Sequence, residues 1–275
     1  MRVDAHQHFW RYSVEEFGWI NDSMSAIRRD FLPSDLLVAL SETGIEATVA
    51  VQACQTIEET NWLLQLAEEH PWIAGVVGWL PLTDPDIDQV LEEFSANAKL
   101  KGVRHVLQAE PDSYMEREDF NTGIKALAQY SLTYDLLVLQ HQLPAAIRFV
   151  DRHPNQPIVL DHLAKPLIAK HALDPWRIEI RELAKRPNVT CKISGMVTEA
   201  DFKSWKTDDL QPYLETALEA FGPQRLLFGS DWPVCTVAAT YSQWVNVVQS
   251  FVAHLSSDEQ EQIFGRNAAT VYRLS

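Results

Sequence analysis

Val3-Asp4-Ala5-His6-Gln7-His8 runs straight into Phe9-Trp10-Arg11-Tyr12, and that junction decides between the two architectures open to this chain. Residues 2–8 read as a short strand. In an open, doubly wound parallel sheet the first strand usually enters its helix through a glycine-rich turn that cradles phosphate. Here the turn carries three aromatics and an arginine, and no glycine. The junction favours a closed ring of strands.

Working outward, short apolar runs alternate with longer amphipathic ones. Strands are expected at Arg2–His8, Ala47–Ala53, Ile73–Leu80, Gly102–Leu107, Leu132–Leu139, Pro157–His162, Asn188–Ser194 and Arg225–Asp231. Helices are expected between most of them, at Glu59–His70, Ile87–Lys99, Phe120–Tyr130, Leu143–Arg152, Trp176–Lys185 and Leu210–Phe221. In the last of these Leu210, Leu214, Ala217, Leu218 and Phe221 recur at three- and four-residue steps, the signature of one buried helical face. Strands apolar along their whole length suit a parallel sheet covered by helices. Strict alternation implies right-handed crossovers. About eight units, in 275 residues, predict an α/β fold: a (β/α)8 barrel of the TIM type, with or without distortion, forming one domain over residues 1–275.

Composition narrows the function. The formal net charge is −15, with no run of Lys or Arg, so nucleic acid and anionic membranes are poor partners. No stretch approaches the roughly 20 apolar residues of a membrane span, and the N-terminus does not resemble a signal peptide. Cys54, Cys191 and Cys235 form no CxxC pair and leave one over, as expected of reduced thiols in a cytoplasmic protein. A small molecule is the expected partner; the oligomeric state is not legible.

The chemistry gathers at predicted strand ends. His6 and His8 are two apart on a strand, so both imidazoles should face the same side near the barrel mouth. Neutral imidazoles there suit a divalent ion such as zinc, or a structural hydrogen-bonded pair. Asp231 closes Leu227-Phe228-Gly229-Ser230-Asp231-Trp232-Pro233, and His162 closes Ile158-Val159-Leu160-Asp161-His162. By alternation Asp161 should point away from His162 and serve structure. Arg104 and Lys192 are cations inside buried strands, so each needs a carboxylate partner or a substrate oxygen. His105 should face the helices, and His70, His153, His171 and His254 should lie at the surface. Residues 9–35 form a long, aromatic-rich first connection at the face where barrel enzymes place their sites.

Taken together, Val3-Asp4-Ala5-His6-Gln7-His8-Phe9-Trp10, Val159-Leu160-Asp161-His162-Leu163-Ala164-Lys165-Pro166, Cys191-Lys192-Ile193-Ser194-Gly195, Phe228-Gly229-Ser230-Asp231-Trp232-Pro233 and the closing residues 263–274 resemble the amidohydrolase superfamily. The resemblance spans the chain. It is nearest to the sugar-lactonase branch, which includes L-fuconolactonase, L-rhamnonolactonase and 2-pyrone-4,6-dicarboxylate lactonase. It implies a distorted barrel that hydrolyses a cyclic ester, with His6, His8, His162 and Asp231 matching the metal-binding positions and Arg104 a substrate-contacting arginine. The aromatic first loop and Phe31-Leu32-Pro33 look closest to the L-fucono/L-rhamnono type. The segment Val138-Leu139-Gln140-His141-Gln142-Leu143-Pro144 departs from relatives that carry an arginine and a proline there. No counterpart of the carboxylated strand lysine of two-metal members is found, so one divalent ion, zinc in type, is expected, with metal-free catalysis as the alternative.

The expected reaction is hydrolysis of a sugar-derived lactone, with Asp231 as general base and Arg104 and His162 stabilising the oxyanion. Trp10, Trp19 and Trp232 are candidate walls for the sugar ring, and Gln140 and Lys192 candidate polar contacts. Rival readings are a pyrone or muconate-type lactonase, a related decarboxylase, and a silent barrel that binds a sugar acid or a protein.

Overall fold

A computed structural model describes residues 1–274. Its elements run β1 (Val3–Gln7), α1 (Pro33–Thr43), β2 (Ala47–Val51), α2 (Ile57–Glu69), β3 (Ile73–Gly78), α3 (Ile87–Ser95), β4 (Leu100–His105), α4 (Glu118–Leu127) and β5 (Thr133–Leu136). They continue through α5 (Leu143–Asp151), β6 (Ile158–Leu160), α6 (Trp176–Leu183), β7 (Val189–Ile193), the one-turn α7 (Met196–Glu199), α8 (Thr207–Phe221) and β8 (Leu226–Phe228). Three helices close the chain: α9 (Tyr241–Val252), α10 (Ser257–Glu261) and α11 (Asn267–Val271). All eight strands pair in parallel and in chain order, as the alternation of runs predicts.

The ring is nearly closed, and its seam lies at the mouth. Beyond the end of β8, His8 N donates to Trp232 O at 2.6 Å and Asp231 N donates to His6 O at 2.8 Å. The barrel is therefore distorted where β8 meets β1, and that seam carries candidate site residues.

Two apolar clusters explain the continuous hydrophobic strands. Ala5, Val49, Val51, Val77, Val159 and Leu227 fill the barrel interior, and Tyr272, just past α11, joins them beside the strand-opening Val3 and Ala47. The alternate residues, such as Ile158, Leu160, Cys191, Ile193 and Phe228, pack outward on the helices. On α8 the buried face is Leu210, Tyr213, Leu214, Ala217 and Phe221, close to the expected stripe. No helix among the described residues is long and apolar enough to cross a membrane.

Three expectations are corrected. β6 stops at Leu160 and β8 at Phe228, short of His162 and Asp231, because both of those residues adopt left-handed backbone, with φ of 52° and 57°. His153 is not a surface group: it is buried, and its ring Nε2 lies 2.7 Å from Asn121 Oδ1, an acceptor supplied by α4. Asp161 does not point away from His162. Asp161 keeps the inward sense of Val159, two residues back, and lies under the site, while His162 reaches the same side because its left-handed backbone breaks the alternation.

Candidate active site

Strand β1 delivers the first two imidazoles through a bulge. Asp4 pairs with Thr48 but Gln7 pairs with Ala50, so β1 carries one extra residue between them. Asp4 faces outward, where its carboxylate accepts from Tyr241 of α9 at 3.1 Å. Without the extra residue His6, two positions on, would also face the helices; bulges re-aim side chains in this way beside sites. His6 and His8 thus converge, with their Nε2 atoms 3.2 Å apart.

His162 arrives on the connection after β6, in a run of four left-handed residues, His162 to Lys165, with φ between 50° and 57°. Such backbone costs about 1 kcal/mol per non-glycine residue. Contacts from the next strand hold it: His162 Nδ1 lies 2.8 Å from Ser194 Oγ. Gly195 sits against the ring, and a Cβ there would come within 2.7 Å of His162 Nδ1. A glycine is also required at position 229, where a Cβ would meet His6 Cβ at 2.9 Å.

Asp231 lies at the centre of the three rings. Its Oδ1 is 3.3 Å from His8 Nε2, 3.8 Å from His6 Nε2 and 3.9 Å from His162 Nε2. Burial pushes this carboxyl up, but the attraction of His162, the His8 hydrogen bond and His6 outweigh it and hold Asp231 well below the usual carboxylate range. Burial also lowers the imidazoles: His162 falls to about 4, and His6 lies well below its ordinary value, pushed further by Lys192. At neutral pH the centre holds an ionised Asp231 beside the neutral rings of His6 and His162.

That donor set fits one divalent ion. Two ligands each about 2.0–2.1 Å from a tetrahedral zinc stand roughly 3.3 Å apart. The His6–His8 and His8–Asp231 separations of 3.2 and 3.3 Å match. The far side of each ring is occupied as metal-binding histidines require: His8 Nδ1 bonds Val51 O at 2.8 Å, and His6 Nδ1 lies 3.3 Å from Asp161 Oδ1. His6, His8 and Asp231 form one grouping with metal-ligand spacing, while His162 groups instead with His6 and Asp161. The four expected ligands are therefore gathered, with His162 farthest out.

Beneath them lies a buried charge network. Asp161 accepts from Arg104 Nη1 at 2.9 Å and pairs with Lys192 Nζ at 2.9 Å. Lys192 also bonds Asp135 Oδ2 at 2.5 Å, and Tyr272 donates to both oxygens of Asp135 at 2.8 and 2.9 Å. Burial pushes Asp135 up to about 6, even with Lys192 pulling it down. Arg104 spends its other terminal nitrogen on the backbone and side-chain oxygens of Gln52.

Above the centre opens a cavity of about 580 Å³, whose lining includes His8, Arg104, His162 and Asp231. Of Trp10, Trp19, Trp232, Gln140 and Lys192, only Trp19 reaches it, alongside Arg104. Lys192 is wholly enclosed and committed to carboxylates, so it supports the site from below. Trp10 is buried in the first connection, its Nε1 donating to Arg29 O, and Trp232 packs edge-on against Phe9 and Phe31. Gln140 accepts from Leu167 N at 3.1 Å and so ties two connections together. His105 faces the helices as expected, stacked on Tyr114. Residues that spacing did not reveal are Asp161, Gln52, Ser194, Lys165 and Glu199. The motif Asp161-His162-Leu163-Ala164-Lys165 held the signal for two of them, but taking His162 as part of the strand pointed the acid the wrong way.

The fold and this centre define an α/β barrel that gathers three histidines and an aspartate, in a spacing that fits a divalent metal, at the C-terminal ends of its strands. The amidohydrolase family model matches residues 3–274, and the chain belongs to that family. It is 41% identical over 286 residues to an L-fucono-1,5-lactonase of Burkholderia multivorans, covering 100% of this chain and 96% of that protein. An L-fucono-1,5-lactonase of Burkholderia ambifaria is 37% identical over 281 residues, covering 99% and 96%. A crystal structure of a Burkholderia multivorans amidohydrolase with bound zinc superposes with a TM-score of 0.97 at 41% identity, over 100% of both chains.

Proposed function

We propose that this chain is a lactonase that opens a sugar-derived lactone of the L-fucono or L-rhamnono type to its aldonic acid. The observation that carries the reading is the Asp231 carboxylate, 3.3–3.9 Å from the imidazoles of His8, His6 and His162 at the floor of the cavity. The relatives named L-fucono-1,5-lactonase support the substrate class. The cavity volume suits a single sugar ring. Its lining offers apolar surface from Trp19, Met24, Phe202 and Val234, which suits the methyl group and C–H faces of a deoxy sugar. Glu16 and Glu199 on the same wall disfavour a polyanionic pyrone. The unpaired thiols Cys54, Cys191 and Cys235 agree with a cytoplasmic enzyme of carbohydrate metabolism, working as one unit over residues 1–275.

Asp231 removes a proton from water as the water oxygen bonds to the lactone carbonyl carbon. Its low proton affinity then lets it return that proton to the ring oxygen as the carbon–oxygen ester bond breaks. His6, His8 and Asp231, with His162 at the edge, would hold a divalent ion, zinc being the best match to the donor set. Such an ion, when bound, supplies positive charge that polarises the ester carbonyl and acidifies water. Arg104, both of whose terminal nitrogens are bonded to protein oxygens, acts by placing a fixed positive charge behind the reacting carbon. It is less suited to direct grip on the oxyanion.

A panel of aldonolactones followed by proton release tests the reading, alongside Asp231→Asn. Turnover of a 6-deoxy-aldonolactone is expected, and the variant should lose about 10²–10⁴-fold in kcat while keeping the wild-type unfolding midpoint. Near-normal turnover by Asp231→Asn, or no turnover of any aldonolactone by the parent, overturns it.

A further inference from the structure

We propose that Lys165 and Glu199 together hold one ring hydroxyl of the substrate, and so select a hydroxylated lactone over a bare one. This deepens the lactonase reading and rests on it.

Both residues line the cavity alongside His162 and Asp231. Lys165 ends the left-handed run that begins at His162, and Glu199 ends α7. Their side chains are only 23% and 22% exposed, and Nζ stands 3.8 Å from Oε1. That gap is too long for a direct hydrogen bond. They form an ion pair, and among the described residues neither side chain makes a hydrogen bond elsewhere, so donor capacity on the ammonium and acceptor capacity on the carboxylate remain open toward the cavity. Enclosed polar groups of this kind are ordinarily satisfied by something.

Elsewhere in the lining Gln55 Oε1 accepts from Val106 N and Glu16 Oε2 accepts from Ser13. Lys165 and Glu199 are the ammonium and carboxylate of the lining that face each other with no other protein hydrogen bond among the described residues. An ammonium that only donates, facing a carboxylate that only accepts, is complementary to a group that does both. A sugar hydroxyl seated between them accepts from Lys165 Nζ and donates to Glu199 Oε1, gaining two charge-assisted bonds. A second carboxylate in their place would be repelled by Glu199, and a bare methylene would leave both charges unsatisfied.

Glu199→Gln and Lys165→Met are each assayed with an aldonolactone and with its monodeoxy analogues, reading kcat and KM separately. Either variant is expected to lose roughly 10- to 100-fold in kcat/KM on the parent lactone, mostly through KM. One monodeoxy analogue should already be impaired with the wild-type enzyme and suffer little further loss in the variants, because the hydroxyl and its partners form one coupled unit. Should Glu199→Gln not fold by circular dichroism, Lys165→Met reads the same hydroxyl from the other side. Unchanged kcat/KM on the parent lactone, or equal losses on every analogue, overturns the inference while leaving the lactonase reading intact. A wild-type enzyme that opens no sugar lactone overturns both.

Discussion

Asp161→Asn tests the claim that a buried charge network, and not the mouth residues alone, holds the active centre together. In the native interior Arg104 and Lys192 are balanced by Asp135 and Asp161, and Lys192, Asp135 and Asp161 have no exposed side-chain surface. Burial raises the Asp161 carboxyl, but Lys192, His6 and Arg104 hold it well below its usual range, so it is ionised in the native state. Asparagine preserves the shape and removes the charge, leaving one buried cation in excess. Breaking a buried pair from one side costs about 3–5 kcal/mol, against a total stability of about 5–15 kcal/mol for a typical protein. For a chain of this size that is a fall in melting temperature of roughly 10 °C. His6 Nδ1 also loses the carboxylate 3.3 Å away that orients it, so lactone turnover should fall with stability. Urea unfolding by circular dichroism and proton-release assays read the two effects. Adding Lys192→Met restores neutrality, so the double variant is expected to regain part of the stability. Asp161→Asn within about 1 kcal/mol of wild type, with full turnover, would refute the reasoning.

Two further outcomes follow from single positions. Gly195→Ala should lower turnover at least tenfold with an overall fold still intact by circular dichroism, because the new methyl meets His162 Nδ1 at 2.7 Å and residue 195 has φ of 66°. Burial, then the charges of Lys125 and Arg152, lowers His153 to about 4 from 6.5. A depressed folded value means that the contribution is present above 6.5 and lost as pH falls toward 4, about 3 kcal/mol in all. Denaturant titrations at pH 7 and pH 4 should therefore show His153→Gln losing less stability on acidification than wild type, and equal losses would refute the assignment.

Much of the architecture is legible in the sequence itself. Eight apolar runs appear as eight strands because alternation and helical periodicity are local properties, set within a few residues by which faces must be buried. The same locality placed His6, His8, His162 and Asp231 at one end of the barrel, since each follows a strand of known direction. What sequence reading could not supply was side-chain aim beyond the strand ends. His6 faces inward only because β1 carries a bulge against β2, and His162 joins Asp161 on the inner side only because its backbone turns left-handed once β6 has ended.

The primary structure by itself determined the ring of strands, the crossovers and the residues that would reach its mouth. Tertiary structure decided which cation reaches the cavity and which is sealed beneath it. Lys192 and Arg104 occupy equivalent-looking positions inside strands, yet one is enclosed by Asp135 and Asp161 while the other borders the cavity. A charge in a low-dielectric interior takes its role from whichever opposite charge lies within a few ångströms, and here Arg104 meets Asp161, and Lys192 meets Asp135, each across 57 residues of chain.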